Sequence, residues 1–255
     1  KVAVPTTGNK EFKALKKIIF SGKFVSGDNV EKFEKEYAKF IGTKYAVAVN
    51  SGTAALHASL ASLDLKKNDE VIVPSISFVS SATAILHQGC IPIFCDVDIE
   101  NYCMCPESLE RNITKKTKAI IPVHFAGSAC NMKAIIKIAK KYNLKIIEDC
   151  AQAHGTKYNG KIVGSFGNIS CFSFYATKHM TTGEGGILCT NSKKIRDFCL
   201  AFRNHGLKDR DTHIQLGYNY RMSELNAVIG RIQLKKLNTI NNQRIKNSLY
   251  IINKL

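Results

Sequence analysis

The sequence predicts an α/β fold built on a largely parallel sheet. Short apolar runs alternate with longer segments whose apolar residues recur every three or four positions, as when strands are joined by crossover helices. A chain of 255 residues with 45% hydrophobic content can bury a substantial core, as one large domain or two small ones. No internal repeat or low-complexity linker interrupts the alternation.

Residues 11–20 form the first expected helix, with Phe12, Leu15, Ile18 and Ile19 on one side. Ser21-Gly22 and Ser26-Gly27 break it, and Asp28 is placed to cap a second helix carrying Val30, Phe33, Tyr37 and Phe40 on one face. A strand ending at Asn50 leads through Ser51-Gly52-Thr53 into a helix over 53–63. Strands over 70–74 and 91–95 flank a helix at 79–88. A strand at 118–123, a helix at 132–142 and a strand at 144–148 follow. From Ile169 the chain reads as a strand, a turn carrying Lys178 and a strand over 186–190, then helices at 193–202 and 223–237. Residues 241–255 read as a final helix.

The totals exclude several classes. No apolar stretch reaches the roughly 18–20 residues that span a bilayer, so no membrane insertion is expected. The start, Lys1-Val-Ala-Val-Pro5, has no h-region of a secretory signal. Nine cysteines, an odd number, lie partly inside apolar runs, which fits a reduced cytoplasmic protein. Cys103 and Cys105 lack the spacing of a zinc pair, and no metal site is expected. The net charge of +17 has two readings, a lysine-rich bias spread along helix faces or attraction to an anionic ligand. The basic residues form no single block and no helix-turn-helix, RNP or zinc-finger pattern occurs, so nucleic acid is not an expected partner.

Lys178 stands in Ser173-Phe-Tyr-Ala-Thr-Lys178, between an apolar run and the turn Gly183-Glu-Gly-Gly186, an odd place for a solvated charge. Ser51-Gly52-Thr53 joins a strand to a helix; it is either an ordinary cap or an anion site made by free amides and the helix dipole. Asp149 follows an apolar strand, where parallel sheets bind ligands; it is a capping residue or the partner of a positive ligand atom. Were the ligand pyridoxal phosphate, Asp149 would keep its ring nitrogen protonated, and Gln152 would reach another polar ring atom. Ser173 offers a hydroxyl to the same phosphate. Phe78 covers a planar ring or packs in the core. Together these residues suggest that Lys178 forms a Schiff base with an aldehyde cofactor. No Gly-x-Gly-x-x-Gly follows the first strand, and P-loop, H-E-x-x-H and Gly-x-Ser-x-Gly patterns are absent.

With these residues in hand, the chain resembles the DegT/DnrJ/EryC1/StrS family of sugar aminotransferases along essentially its whole length. The resemblance rests on Asn50-Ser-Gly-Thr-Ala-Ala-Leu-His57, Val73-Pro-Ser-Ile-Ser-Phe78, Glu148-Asp-Cys-Ala-Gln-Ala-His-Gly155, Phe172-Ser-Phe-Tyr-Ala-Thr-Lys178, Gly183-Glu-Gly-Gly186 and Gly217-Tyr-Asn-Tyr-Arg-Met-Ser-Glu224. It implies the large domain of a fold-type-I pyridoxal 5'-phosphate transferase over 1–240. Residues 241–255 would begin the connection to a smaller C-terminal domain that this sequence lacks. It further implies that Lys178 is the lysine bonded to the cofactor and Asp149 the partner of its ring nitrogen. Gln152 would meet the ring hydroxyl, Phe78 would stack on the ring, and Gly52, Thr53, Ala54 and Ser173 would hold the phosphate. Asn219 would reach the neighbouring cofactor in a homodimer. The implied reaction moves an amino group, usually from glutamate, to a keto group of a nucleotide-linked sugar, for cell-surface polysaccharide or deoxyaminosugar biosynthesis. The alternatives are a sugar dehydratase of the same family, which carries His where this chain has Lys178, a catalytically silent cofactor-binding regulator and, ranked below both, a basic nucleic-acid-binding protein driven by the +17 charge. His124, His154, His205 and Arg221 are candidate sugar or diphosphate contacts, or structural residues.

Overall fold

The computed structural model describes residues 4–255. Lys1, Val2 and Ala3, where the segment read as lacking an h-region and the expected 1–240 domain both begin, lie outside the described residues. The elements run α1 (Asn9–Ser21), α2 (Asp28–Ile41), β1 (Tyr45–Val49), α3 (Gly52–Ala61), β2 (Glu70–Pro74), α4 (Ser80–His87), β3 (Ile91–Cys95), α5 (Pro106–Arg111), β4 (Thr117–Ile120), α6 (Met132–Lys141) and β5 (Lys145–Asp149). A short hairpin of β6 (Lys157–Tyr158) and β7 (Lys161–Ile162) follows, then β8 (Ile169–Ser173), β9 (Gly186–Thr190), α7 (Lys193–Phe202) and α8 (Glu224–Ile252).

The main sheet has the order β1-β9-β8-β5-β4-β2-β3. Pairs β2–β3, β2–β4, β4–β5 and β5–β8 are parallel. Only β9 runs against its neighbours, pairing antiparallel with β1 and β8. The expected α/β class with a mostly parallel sheet is therefore what forms.

Period-two alternation divides the core. Val47, Val49, Val71, Val73, Ile147 and Leu188 face one side, against α3, α4 and α7. Ala46, Ala48, Ile187 and Cys189 face the other, against α2 and α8, while Ile72, Ile120 and Ile146 pack on α6. Successive strand residues point to opposite faces, so near-continuous apolar runs are what a sheet covered on both sides requires. Helix α3 is buried along Ala54–Leu60, with His57 and Ser59 among the buried residues, which explains why it carries no apolar stripe.

Two local expectations are corrected. Asp28 does not cap α2: Gly27 holds the cap position without a side-chain bond, and Glu224 Oε1 accepts the Asn29 and Val30 N–H groups at 2.9 and 3.0 Å. A buried carboxylate from another helix thus satisfies donors that a local side chain was expected to take. The helices read at 223–237 and 241–255 are one, α8. Its buried positions, Glu224, Ala227, Gly230, Gln233 and Leu237, end where the sequence pattern faded, but no breaker interrupts the backbone and one helix runs on. Among the described residues no helix is long and apolar enough to cross a membrane.

Candidate active site

The carboxyl ends of β1, β5 and β8 converge on a cavity of about 410 Å³ lined by Ser51, Gly52, Thr53, Phe78, Asp149, Gln152, Ser173 and Lys178, among others. This is where an open α/β sheet exposes strand ends and helix starts to a ligand. Seven of the nine residues expected at the site line it. Ala54 does not: it is buried, and its N–H donates to Ser51 Oγ at 3.0 Å. Asn219 is exposed and pairs with Asn204 in an isolated bridge, outside the cavity lining.

The turn after β1 is tight because glycines sit where side chains would collide. A Cβ on Gly52 would stand 2.8 Å from Ser173 Cβ, and one on Gly186 would overlap the Ser51 carbonyl oxygen. Both glycines therefore let β9 and β8 approach the start of α3. Ser51 caps α3 through Ala54, which leaves the Gly52 and Thr53 N–H groups, first in the helix, without an intrahelical acceptor. With the helix dipole behind them they form an anion cradle, and the Ser173 hydroxyl lines the same cavity.

At the other end lies Asp149, the last residue of β5. Burial pushes its carboxyl above the ordinary range, opposed by the Ala151 N–H, the Ser81 hydroxyl and the Lys178 charge. Lys178 is half-buried on the β8–β9 connection. Desolvation lowers its ammonium pKa, and Asp149 pulls the other way; the net direction favours a neutral, nucleophilic amine. Gln152 Oε1 accepts the Ala126 N–H at 2.8 Å, so its amide NH₂ is the end left to donate. Phe78 is 68% exposed at the cavity wall and is not the core residue that its alternative reading proposed.

The histidines offered as sugar contacts separate from the cavity. His124 Nδ1 accepts the Cys130 N–H at 3.1 Å, so its Nε2 carries the proton toward Glu148, also at 3.1 Å. His154 Nε2 lies 2.9 Å from the Ser173 carbonyl, which can only accept, so Nδ1 takes the Tyr37 hydroxyl at 3.0 Å. Both are buried and structural. His205 and Arg221 lie outside the cavity lining, Arg221 bonded to Asn204 at 2.8 Å. Sequence reasoning missed Ser77, Ser80, Ser81, Tyr175, Thr177 and Glu184, which also line the cavity. The hydroxyl-rich run Ser75-Ile-Ser-Phe-Val-Ser-Ser81 after an apolar strand was the available signal.

An organic anion whose ring carries a positive atom fits this chemistry: a cradle of free amides at one end, and at the other a buried carboxylate whose bonded donors, Ala151 N–H and Ser81 hydroxyl, are neutral. Known proteins resemble this chain along nearly all its length. The model of the DegT/DnrJ/EryC1/StrS aminotransferase family matches residues 5–255. A GDP-perosamine synthase of Escherichia coli O157:H7 is 46% identical over 212 residues, covering 82% of this chain and 58% of that protein. A solved aminotransferase from Psychrobacter cryohalolentis superposes with a TM-score of 0.87 at 39% identity, covering 92% of this chain and 63% of that one. An E. coli GDP-4-keto-6-deoxy-D-mannose-3-dehydratase with bound hydrated PLP gives 0.94 at 33% identity, covering 99% and 72%. The chain spans 58–65% of the length of the first curated relatives it matches. From its cofactor-sized cavity to its ordered motifs, this chain belongs to the DegT/DnrJ/EryC1/StrS aminotransferase family.

Proposed function

We propose that the chain is the cofactor-binding part of a pyridoxal-phosphate-dependent aminotransferase that moves an amino group from glutamate to a keto group of a nucleotide-linked sugar. The observation that carries this is the sharing of one cavity by Lys178, whose amine burial makes easier to deprotonate, and Asp149, a buried carboxylate. Pyridoxal phosphate, when bound, supplies an aldehyde and an electron-withdrawing ring. The Gly52 and Thr53 N–H groups and the Ser173 hydroxyl would hold its phosphate, Asp149 would meet the ring nitrogen, the Gln152 NH₂ would donate to the ring hydroxyl, and Phe78 would cover one face. Lys178 Nζ takes and returns the proton moved at the substrate carbon, a role worth roughly 10²–10⁴-fold for a positioned acid–base group.

The same reading assigns residues 1–240 to the large domain and 241–255 to the stretch that leaves it. Exposed Ile245, Leu249, Tyr250, Ile251 and Ile252 on α8 support a further contact there. It also assigns a homodimer in which Asn219, exposed outside its own cavity, completes the neighbouring site. A reducing, cytoplasmic setting accords with nine free cysteines.

The test is a panel of nucleotide-linked keto-sugars incubated with glutamate and pyridoxal phosphate and followed by mass. An amino sugar formed together with 2-oxoglutarate is expected. A cofactor-loaded protein that aminates no member of the panel would sink the reading. A product that has lost a hydroxyl group from a carbon of the sugar ring would favour the dehydratase, to which a solved neighbour gives structural likeness.

A further inference from the structure

The Asp149 carboxylate is engaged by neutral donors on both oxygens: Oδ1 accepts the Ala151 N–H at 3.0 Å and Oδ2 accepts the Ser81 hydroxyl at 2.8 Å. Ser81, near the start of α4, is 1% exposed. Its single proton is committed to Asp149. In the 2.6 Å contact between the Ser77 and Ser81 hydroxyls, Ser77 must therefore be the donor. Donation runs one way, Ser77 to Ser81 to Asp149, and a hydroxyl that accepts a hydrogen bond donates a stronger one. The next hydroxyl on the helix, Ser80, contacts Thr53 at 2.7 Å. The first turn of α4 thus braces the cavity at both its phosphate end and its carboxylate end.

We propose that Ser81, backed by Ser77, is a positioning residue that fixes the Asp149 side chain and keeps its carboxylate charged toward the ring nitrogen of pyridoxal phosphate. This rests on the cofactor reading above. Burial raises the carboxyl, and the bonds from Ala151 and Ser81 oppose that rise. The other groups facing Asp149 do less. Lys178 acts through space, from the connection after β8. His124, after β4, has both ring nitrogens bonded elsewhere, to Cys130 and Glu148, and ranks behind Lys178 in its effect on Asp149. The Cys150 and Cys171 thiols are pushed well up by burial and stay protonated. Among side chains, Ser81 is the one that donates directly to this carboxylate among the described residues.

The test is a double-mutant cycle on the full chain, reading pyridoxal phosphate affinity by visible absorbance in Ser81→Ala, Ser77→Ala, Asp149→Ala and the combined variants. A hydrogen bond to a charged group predicts about tenfold weaker binding for Ser81→Ala, and a loss of about two- to threefold for Ser77→Ala, one step removed. Both losses should fall below about twofold in the Asp149→Ala background, because the group they act through is gone. Thermal unfolding checks each variant, and half-buried Ser77 supplies the cycle should Ser81→Ala fail to fold. Equal losses with and without Asp149, or wild-type affinity in both serine variants, would overturn the inference. A wild-type chain that takes up no pyridoxal phosphate overturns the functional reading as well; one that binds it, with both serine variants unaffected, overturns this inference alone.

Discussion

Substituting Glu148 by Gln removes one acceptor oxygen from a carboxylate that four donors share. Oε1 accepts the Phe166 and Gly167 N–H groups at 2.8 and 2.6 Å, while Oε2 accepts the Gly164 N–H at 2.8 Å and His124 Nε2 at 3.1 Å. Whichever oxygen becomes the amide NH₂, two donors meet a donor in a site where the side chain is fully buried. Each unsatisfied buried donor costs about 1–3 kcal/mol, so Glu148→Gln should cost about 2–6 kcal/mol. That is a large share of the roughly 5–15 kcal/mol that holds a domain together. At about 2–4 °C per kcal/mol for a chain of this size, the unfolding midpoint should fall by at least about 4 °C. Circular dichroism during heating, with urea unfolding as a second measure, reads it. A midpoint within about 2 °C of wild type would refute the idea that Glu148 clamps the 164–167 loop and His124 behind Asp149. His124, Glu148 and Cys150 offer ligand atoms within 4.8 Å of one another, a grouping able to suggest a metal. Both His124 nitrogens are already bonded, so neither zinc nor a chelator should move the midpoint.

Three further outcomes follow from the same geometry. Gly186→Ala places a methyl on the Ser51 carbonyl, a backbone collision that should cost about 3 kcal/mol or more and lower soluble yield and cofactor uptake together. His154 is kept neutral by burial, its pKa pushed down to about 3. The unfolded chain takes up a proton there below pH 6.5 and the folded one does not, so this contribution to stability is complete above pH 6.5 and falls as pH drops toward 3. His154→Gln should remove about one proton from the uptake on unfolding, about 1.4 kcal/mol per pH unit, in the slope of stability against pH between 6 and 4. Asp149 carries the opposite sign: its raised pKa means stability is lost as pH rises from 3.8 through the folded value. In cofactor-free protein, Asp149→Asn should therefore remove this loss from the profile of stability against pH while weakening pyridoxal phosphate binding.

The strands and most helices were legible because apolar periodicity is local; α7 spans the 193–202 expected of it. Ordered motifs also put Lys178, Asp149, Gln152 and Ser173 on strand ends and turns, and the four line one cavity. What escaped the sequence was tertiary. The α2 cap lies 195 residues away, on Glu224. Ser81 finds its target 68 residues along the chain, and nothing in its own neighbourhood sets it apart from Ser77 or Ser80. Ala54 was expected among the residues holding a phosphate; it lies outside the cavity lining, and its N–H goes to Ser51, three residues back, a contact that the strand–SGT–helix pattern does not display. The β6–β7 hairpin has too few residues to show an alternation.

Reductive trapping tests the central claim most directly. Wild-type protein loaded with pyridoxal phosphate, reduced with borohydride and digested, should carry the cofactor's mass on the peptide containing Lys178, and Lys178→Ala should lose both that label and the visible absorbance. Label on another lysine, or a wild-type chain that gains neither absorbance nor mass, would contradict the account.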